Sequence, residues 1–122
     1  MTFVVSHPTG NNFVRALLEE LHNRDLLSTF YTTIGFGKYC NKLFSKISKR
    51  RKYNVPDNKI KRLWIPEIQR LLINSDQEKK RRLADRSYKK LDYKTAREIS
   101  AASTKVIHAY EDGARETFIR AK

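Results

Sequence analysis

Two short stretches carry the side chains that could do chemistry. Near the start, Ser6, His7, Thr9, Asn11 and Asn12 cluster around the turn His7-Pro8-Thr9-Gly10-Asn11. Near the end, His108, Tyr110, Glu111 and Asp112 do the same around Glu111-Asp112-Gly113. The imidazoles of His7 and His108 can act as acid/base groups or orient a hydroxyl, and each can equally be a structural or exposed histidine. Gly10 lets a ligand approach the backbone, and Asn11 or Asn12 can cap the helix that follows. Neither a G-x-G-x-x-G nor a G-x-x-x-x-G-K-[ST] motif is present. No Ser/His/Asp or Cys/His arrangement is apparent from the spacing, because Cys40 lies far in sequence from both turns.

The elements around these turns have the same order at both ends. Phe3-Val4-Val5 is a short β-branched run, and the apolar residues Phe13, Val14, Leu17, Leu18 and Leu21 after the turn have helical spacing. Lys105 to Tyr110 is a second strand candidate, with Ala114 to Lys122 starting a helix. Strand, tight loop and helix place the loop at the carboxyl end of the strand, where open α/β sheets bind ligands. An ordinary βα turn without a ligand has the same pattern. Between the two units, Leu26 to Thr33 reads as a strand reached by a short αβ connection, so the right-handed crossover rule sets it parallel to the first. The expected fold is α/β: an incomplete Rossmann-like domain with parallel strands near 2–6, 27–32 and 104–109, flanked by helices. In a parallel sheet the two polar turns share one edge and form one pocket.

The remaining segments are less regular. Lys59 to Leu63 is either a short edge strand or extended chain, and Pro66 suits the first turn of a helix carrying Ile68, Leu71, Leu72 and Ile73. Trp64 is most simply core or rim packing. From Ser75, its cap, to about Ala102 runs a long polar helix with sparse apolar positions, expected to kink or be mobile near Ser87 to Tyr93. Its Lys79-Lys80-Arg81-Arg82 run is a solvated face before it is a contact surface. The final helix has no closing cap, so the chain reads as a piece of something longer.

Composition narrows the partners. The 122 residues hold 26 Lys plus Arg against 13 Asp plus Glu, a formal net charge of +13, which favours nucleic acid, anionic headgroups or phosphorylated substrates. A lone cysteine forms no internal disulfide, which fits a reducing cytosol, and no Cys/His metal cluster is present. No apolar run reaches the roughly 18 to 20 residues that span a bilayer, and no basic leader precedes the first strand. Within Lys38 to Lys52, Tyr39, Leu43 and Ile47 repeat every four residues on an otherwise basic stretch. Such a helix lies at a membrane interface with Lys42, Lys46, Lys49, Arg50 and Arg51 at the headgroups, or docks its apolar side on the sheet with a solvated basic face.

His7-Pro8-Thr9-Gly10-Asn11, Phe13-Val14-Arg15-Ala16-Leu17, Ala84-Asp85-Arg86-Ser87-Tyr88 and Val106 through Ala114 together resemble the amino-terminal part of bacterial retaining glycosyltransferases of the GT-B type, which have two Rossmann-like domains. The resemblance covers nearly the whole chain and only the first portion of such an enzyme. It implies an acceptor-side domain with no cofactor, whose partners in the full enzyme are a nucleotide-sugar donor and a sugar or lipid-linked acceptor. Gly10 and Asn11 would match the loop near the donor phosphates. His7, Glu111 and Asp112 would join them in binding, and His108 would be the catalytic candidate. These enzymes hold the nucleotide sugar mainly in the second domain, with a basic pair and two glutamates eight positions apart. No two glutamates of this chain have that spacing. The resemblance therefore implies a cytoplasmic, peripherally membrane-bound enzyme of which this chain alone is inactive. The alternative from another class is a small basic nucleic-acid-binding protein using Lys38 to Arg62 and Lys79 to Arg97 on phosphates.

Overall fold

Four parallel strands form one sheet in the computed structural model, which describes residues 2–38, 51–64, 76–99 and 106–122. β1 (Phe3–Ser6) is central, and its two valines point to opposite faces as strand geometry requires. Val5 joins Val14, Leu18, Phe30 and Tyr53 in one core, while Val4 joins Tyr31, Leu91 and Ile99 in another. A strand buried on both sides needs apolar residues at consecutive positions, which is why Phe3-Val4-Val5 does not alternate.

α1 (Asn12–Asn23) covers the first face. The Oδ1 of Asn11 accepts the Val14 amide at 2.9 Å, so Asn11 is the cap. Val14, Leu18 and Leu21, spaced four and three residues apart, form the buried stripe. Asp25, at φ 53°, turns the chain, and β2 (Leu27–Thr32) then runs parallel to β1 with Val5 opposite Phe30. β3 (Ile60–Arg62) adds parallel to the far side of β2, resolving the sequence between Lys59 and Leu63 as an edge strand of three residues. Trp64 is a rim residue, 39% exposed, with its ring edge-on to Phe36.

α2 (Gln77–Ile99) covers the second face. It runs unbroken through Ser87 to Tyr93, where the sequence reading expected a kink or mobility. The correction has a physical reason: polar residues share its buried side. Ser87, Asp92 and Thr95 are buried beside Leu91, Ala96 and Ile99, and the Thr95 hydroxyl lies 3.2 Å from that of Ser6 on β1. Tyr31 donates its hydroxyl to Glu98 at 2.7 Å, which pins α2 to β2. Burial pushes the Glu98 carboxyl up, but the bonds from Tyr31 and Lys61 outweigh it and hold its pKa below the ordinary value.

β4 (Val106–Ala109) returns to the free side of β1, parallel to it, with Val4 opposite Ile107. A 3₁₀ turn at Glu111–Gly113 leads into α3 (Arg115–Ala121), which packs on α2. The joint is Asp92: its carboxylate accepts the Glu116 amide at 2.8 Å, the Thr117 amide at 2.9 Å and the Thr117 hydroxyl at 2.6 Å. A buried carboxylate is satisfied here by the unpaired amides of a helix start.

The strand order is β3-β2-β1-β4. The chain steps outward from β1 to β2 to β3, then crosses back to the other side of β1. The order therefore reverses between β1 and β4, the point at whose carboxyl ends open α/β sheets place their ligand crevice. Among the described residues no helix is long and apolar enough to cross a membrane. The expected basic helix, with Lys42, Lys46, Lys49 and Arg50, and the helix after Pro66 lie outside the described residues, as do Ser75 and residues 100–105.

Candidate functional site

The two polar turns meet at that switch point. His7 follows β1, His108 is on β4, and the paired strands bring both to one edge. The His7 ring lies 4.8 Å from Tyr110 between centroids, and Phe13, in the first turn of α1, lies 6.2 Å from His108. Tyr88 of α2 stands edge-on to Tyr110 at 6.1 Å. Four elements thus bring aromatic rings together at this edge: β1 with its turn, the start of α1, the end of β4, and α2.

The two histidines have different jobs. His7 is only 5% exposed, and its Nδ1 accepts the amides of Gly10 at 2.8 Å and Thr9 at 3.3 Å. An acceptor Nδ1 assigns the proton of the neutral ring to Nε2. Burial lowers the His7 pKa below the ordinary imidazole value, and the nearby charges of His108 and Arg51 lower it further. His7 therefore organises the loop as a neutral acceptor. His108, half-buried, is the accessible imidazole, beside a Phe13 ring that is 67% exposed.

The loop is also held from behind. The Pro8 carbonyl accepts the Thr33 hydroxyl at 2.5 Å and an Arg51 N–H at 3.2 Å. The Thr9 carbonyl accepts Arg51 and the Tyr53 hydroxyl, both at 3.2 Å. Gly10 adopts φ +61°, and a Cβ there would sit 2.0 Å from the Tyr53 hydroxyl oxygen. Its glycine is thus required by Tyr53 and by backbone geometry, where the sequence suggested approach of a ligand.

The sequence-predicted residues separate in space. His7, Gly10 and Asn11 share the loop, and His108 faces them from β4. Glu111 and Asp112 are exposed on the turn after β4, where they line a groove of about 420 Å³ with Lys89 and Tyr93 of α2. Asp112 reaches back to accept the Tyr110 hydroxyl, which raises the Tyr110 pKa. Arg51, expected at a membrane surface, is partly buried and donates into the first loop; its guanidinium fork fits two neighbouring carbonyls better than a diffuse headgroup layer. Thr33, Tyr53 and the exposed rim position of Phe13 escaped sequence reasoning. Phe13 falls on the apolar spacing of α1, and no short-range pattern links Tyr53 to a loop 44 positions earlier.

Chemically, the crevice offers an accessible imidazole, an exposed aromatic face and the positive end of the α1 dipole. That set suits an oxygen-rich ligand with an apolar ring face or an anionic group. Among the described residues no group of three or more His, Cys, Asp or Glu could hold a metal ion. Comparison with known proteins gives no match to a family model, a curated protein or a solved structure.

Proposed function

We propose that this chain is the acceptor-side part of a two-domain GT-B-type glycosyltransferase that moves a sugar from a nucleotide-sugar donor to an acceptor hydroxyl. The supporting observation is the placement of His108 and Phe13 together at the β1/β4 switch point. In this reading the exposed Phe13 ring takes the apolar face of a sugar, and His108 orients or deprotonates its hydroxyl. The α1 N-terminus faces donor phosphates, with Gly10 and Asn11 shaping that end of the loop. Donor binding falls mainly to a second domain, whose closure excludes water. The test is sugar transfer with nucleoside diphosphate sugars by the 122-residue chain and by the complete encoded polypeptide. Transfer is expected only in the latter, falling on the order of 10²-fold with His108→Ala. Turnover by the 122-residue chain would refute the division of labour, and an unaffected His108→Ala enzyme would remove His108 from the reaction.

The same reading places the enzyme at the cytoplasmic face of a membrane, on a lipid-linked acceptor. Its support is the charge of +13 and the basic stretch holding Lys42, Lys46, Lys49 and Arg50. Each Lys or Arg near an anionic leaflet contributes about 1 kcal/mol, so a few suffice for salt-sensitive docking. Binding to anionic liposomes is expected, weakened by Lys49→Glu with Arg50→Glu and absent on zwitterionic ones. Equal binding to both lipids would exclude electrostatic docking. Tighter binding to nucleic acid at matched salt would favour a nucleic-acid-binding protein instead.

A further inference from the structure

The outward face of α2 carries more cations than the fold pairs. Arg82, Arg86 and Lys90 follow one another at four-residue spacing, and like charges so placed destabilise a helix on its own. Arg82 pairs with Glu78 at 2.6 Å, whereas Arg86, Lys89 and Lys90 form no ion pair among the described residues. Tyr93, 65% exposed, stands one turn beyond Lys89. With Asp85 these side chains line a groove of about 500 Å³, and all of them are exposed.

This groove adjoins the candidate site. Thr95 meets Ser6 and Tyr88 meets Tyr110, so α2 runs antiparallel to the strands and its earlier turns pass the carboxyl edge of the sheet. Lys89 and Tyr93 also border the groove of about 420 Å³ that Glu111 and Asp112 line after β4. The two grooves therefore form one surface, which begins just past His108 and continues along α2. From Tyr93 to Arg82 it follows the helix axis for about 16 Å, room for more than one sugar ring.

The lining selects a chemistry. The cations take anionic groups, the exposed tyrosine ring takes the apolar face of a sugar, and carboxylates such as Asp85 and Glu111 accept hydroxyl hydrogen bonds. A nucleic-acid strand supplies rings and charge, but its phosphates would pass the carboxylates of Asp85, Glu111 and Asp112 on the same path, and like charges repel. A membrane interface takes up aliphatic side chains, and none of the residues lining the larger groove is aliphatic. An acidic sugar carries its anionic group and its hydroxyls on one ring, so it can offer each to the matching side chain.

We propose that this surface holds an acidic oligosaccharide, with Arg86, Lys89 and Lys90 on its anionic groups, Tyr93 against a ring face, and Asp85 and Glu111 on hydroxyls. In the transferase reading above it holds the remote part of the acceptor; only that assignment rests on the reading.

The test titrates the 122-residue chain at physiological salt and follows its backbone amide shifts. The probes are oligogalacturonate, which has a carboxylate on every ring, malto-oligosaccharide of equal length, and oligothymidylate. Oligogalacturonate should bind about ten-fold or more tighter than the neutral sugar and shift residues 86–93 and Glu111. Arg86→Gln with Lys90→Gln should remove that preference. Tyr93→Ala should weaken oligogalacturonate about ten-fold while leaving its salt dependence unchanged. All three positions are exposed, so the shifts of Val5 and Leu18 in the core should stay as they are in the wild type. Equal affinity for the two sugars, affinity for neither, shifts confined to other residues, or an unaffected variant of either kind overturns the proposal. Tighter binding of oligothymidylate at the same residues assigns the surface to nucleic acid and also overturns it. Sugar transfer by the complete polypeptide without acidic-sugar binding overturns the proposal and leaves the transferase reading standing; binding without transfer does the reverse.

Discussion

Replacing Gly10 with alanine should destabilise the chain by about 2–5 kcal/mol, combining a left-handed backbone penalty with overpacking. The residue sits at φ +61°, and the added methyl would lie 2.0 Å from the Tyr53 hydroxyl oxygen and 2.6 Å from its Cε1. Tyr53 has nowhere to go. It is 1% exposed, packs edge-on against Phe30 at 4.8 Å between centroids, and holds the Thr9 carbonyl. Tyr53→Phe alone should cost about 1 kcal/mol, the usual net value of one hydrogen bond. Combined, the two changes should cost less than their sum by about 1 kcal/mol, because removing the hydroxyl relieves the closest part of the clash. Urea denaturation of the four proteins measures the cycle. Strict additivity would show that Tyr53 does not dictate the glycine, and the loop would then owe its shape to backbone preference alone.

That pair also shows where sequence reasoning stopped. β1, α1 and β2 were legible because their signals are local: Val4-Val5 is a β-branched run, and Val14, Leu18 and Leu21 keep one helical face. The meeting of the two polar turns at one edge followed from parallel pairing, and the observed register of Val5 with His108 delivers it. What failed to show was contact between distant segments. Asp92 lies in what reads as a long polar helix, yet it caps a helix 24 positions later and is buried there. Arg51 read as part of a basic face, because composition counts charges and does not say which carbonyls they will find. Gly10 carried a visible need for a glycine, but the neighbour that creates it is Tyr53, in a stretch recognisable only as a loop.

His7→Leu should cost about 2–4 kcal/mol at pH 8, since it strands the amides of Thr9 and Gly10 without an acceptor in a partly buried loop. His7→Asn should retain most of that stability, because an asparagine carbonyl can accept amides two and three residues on in the same kind of turn. The two variants part from the wild type in their pH dependence. Burial, His108 and Arg51 depress the folded-state pKa of His7, so the unfolded chain takes up the proton first as pH falls. The stability due to neutral His7 is complete above the unfolded value of about 6.5 and is lost progressively below it, down to the folded pKa. Protonation also places an N–H on Nδ1 opposite two N–H donors, so the loop opens as the charge appears. Wild-type protein should therefore lose stability between pH 7.5 and 5, with the loop amides of Thr9 and Gly10 exchanging faster over the same range. His7→Asn should abolish that loop response and flatten the stability curve. Chemical denaturation across this range, with amide exchange of the loop, separates the possibilities. An Asn variant as pH-sensitive as the wild type, or a Leu variant as stable as the Asn variant at pH 8, would show that Nδ1 does not hold the loop.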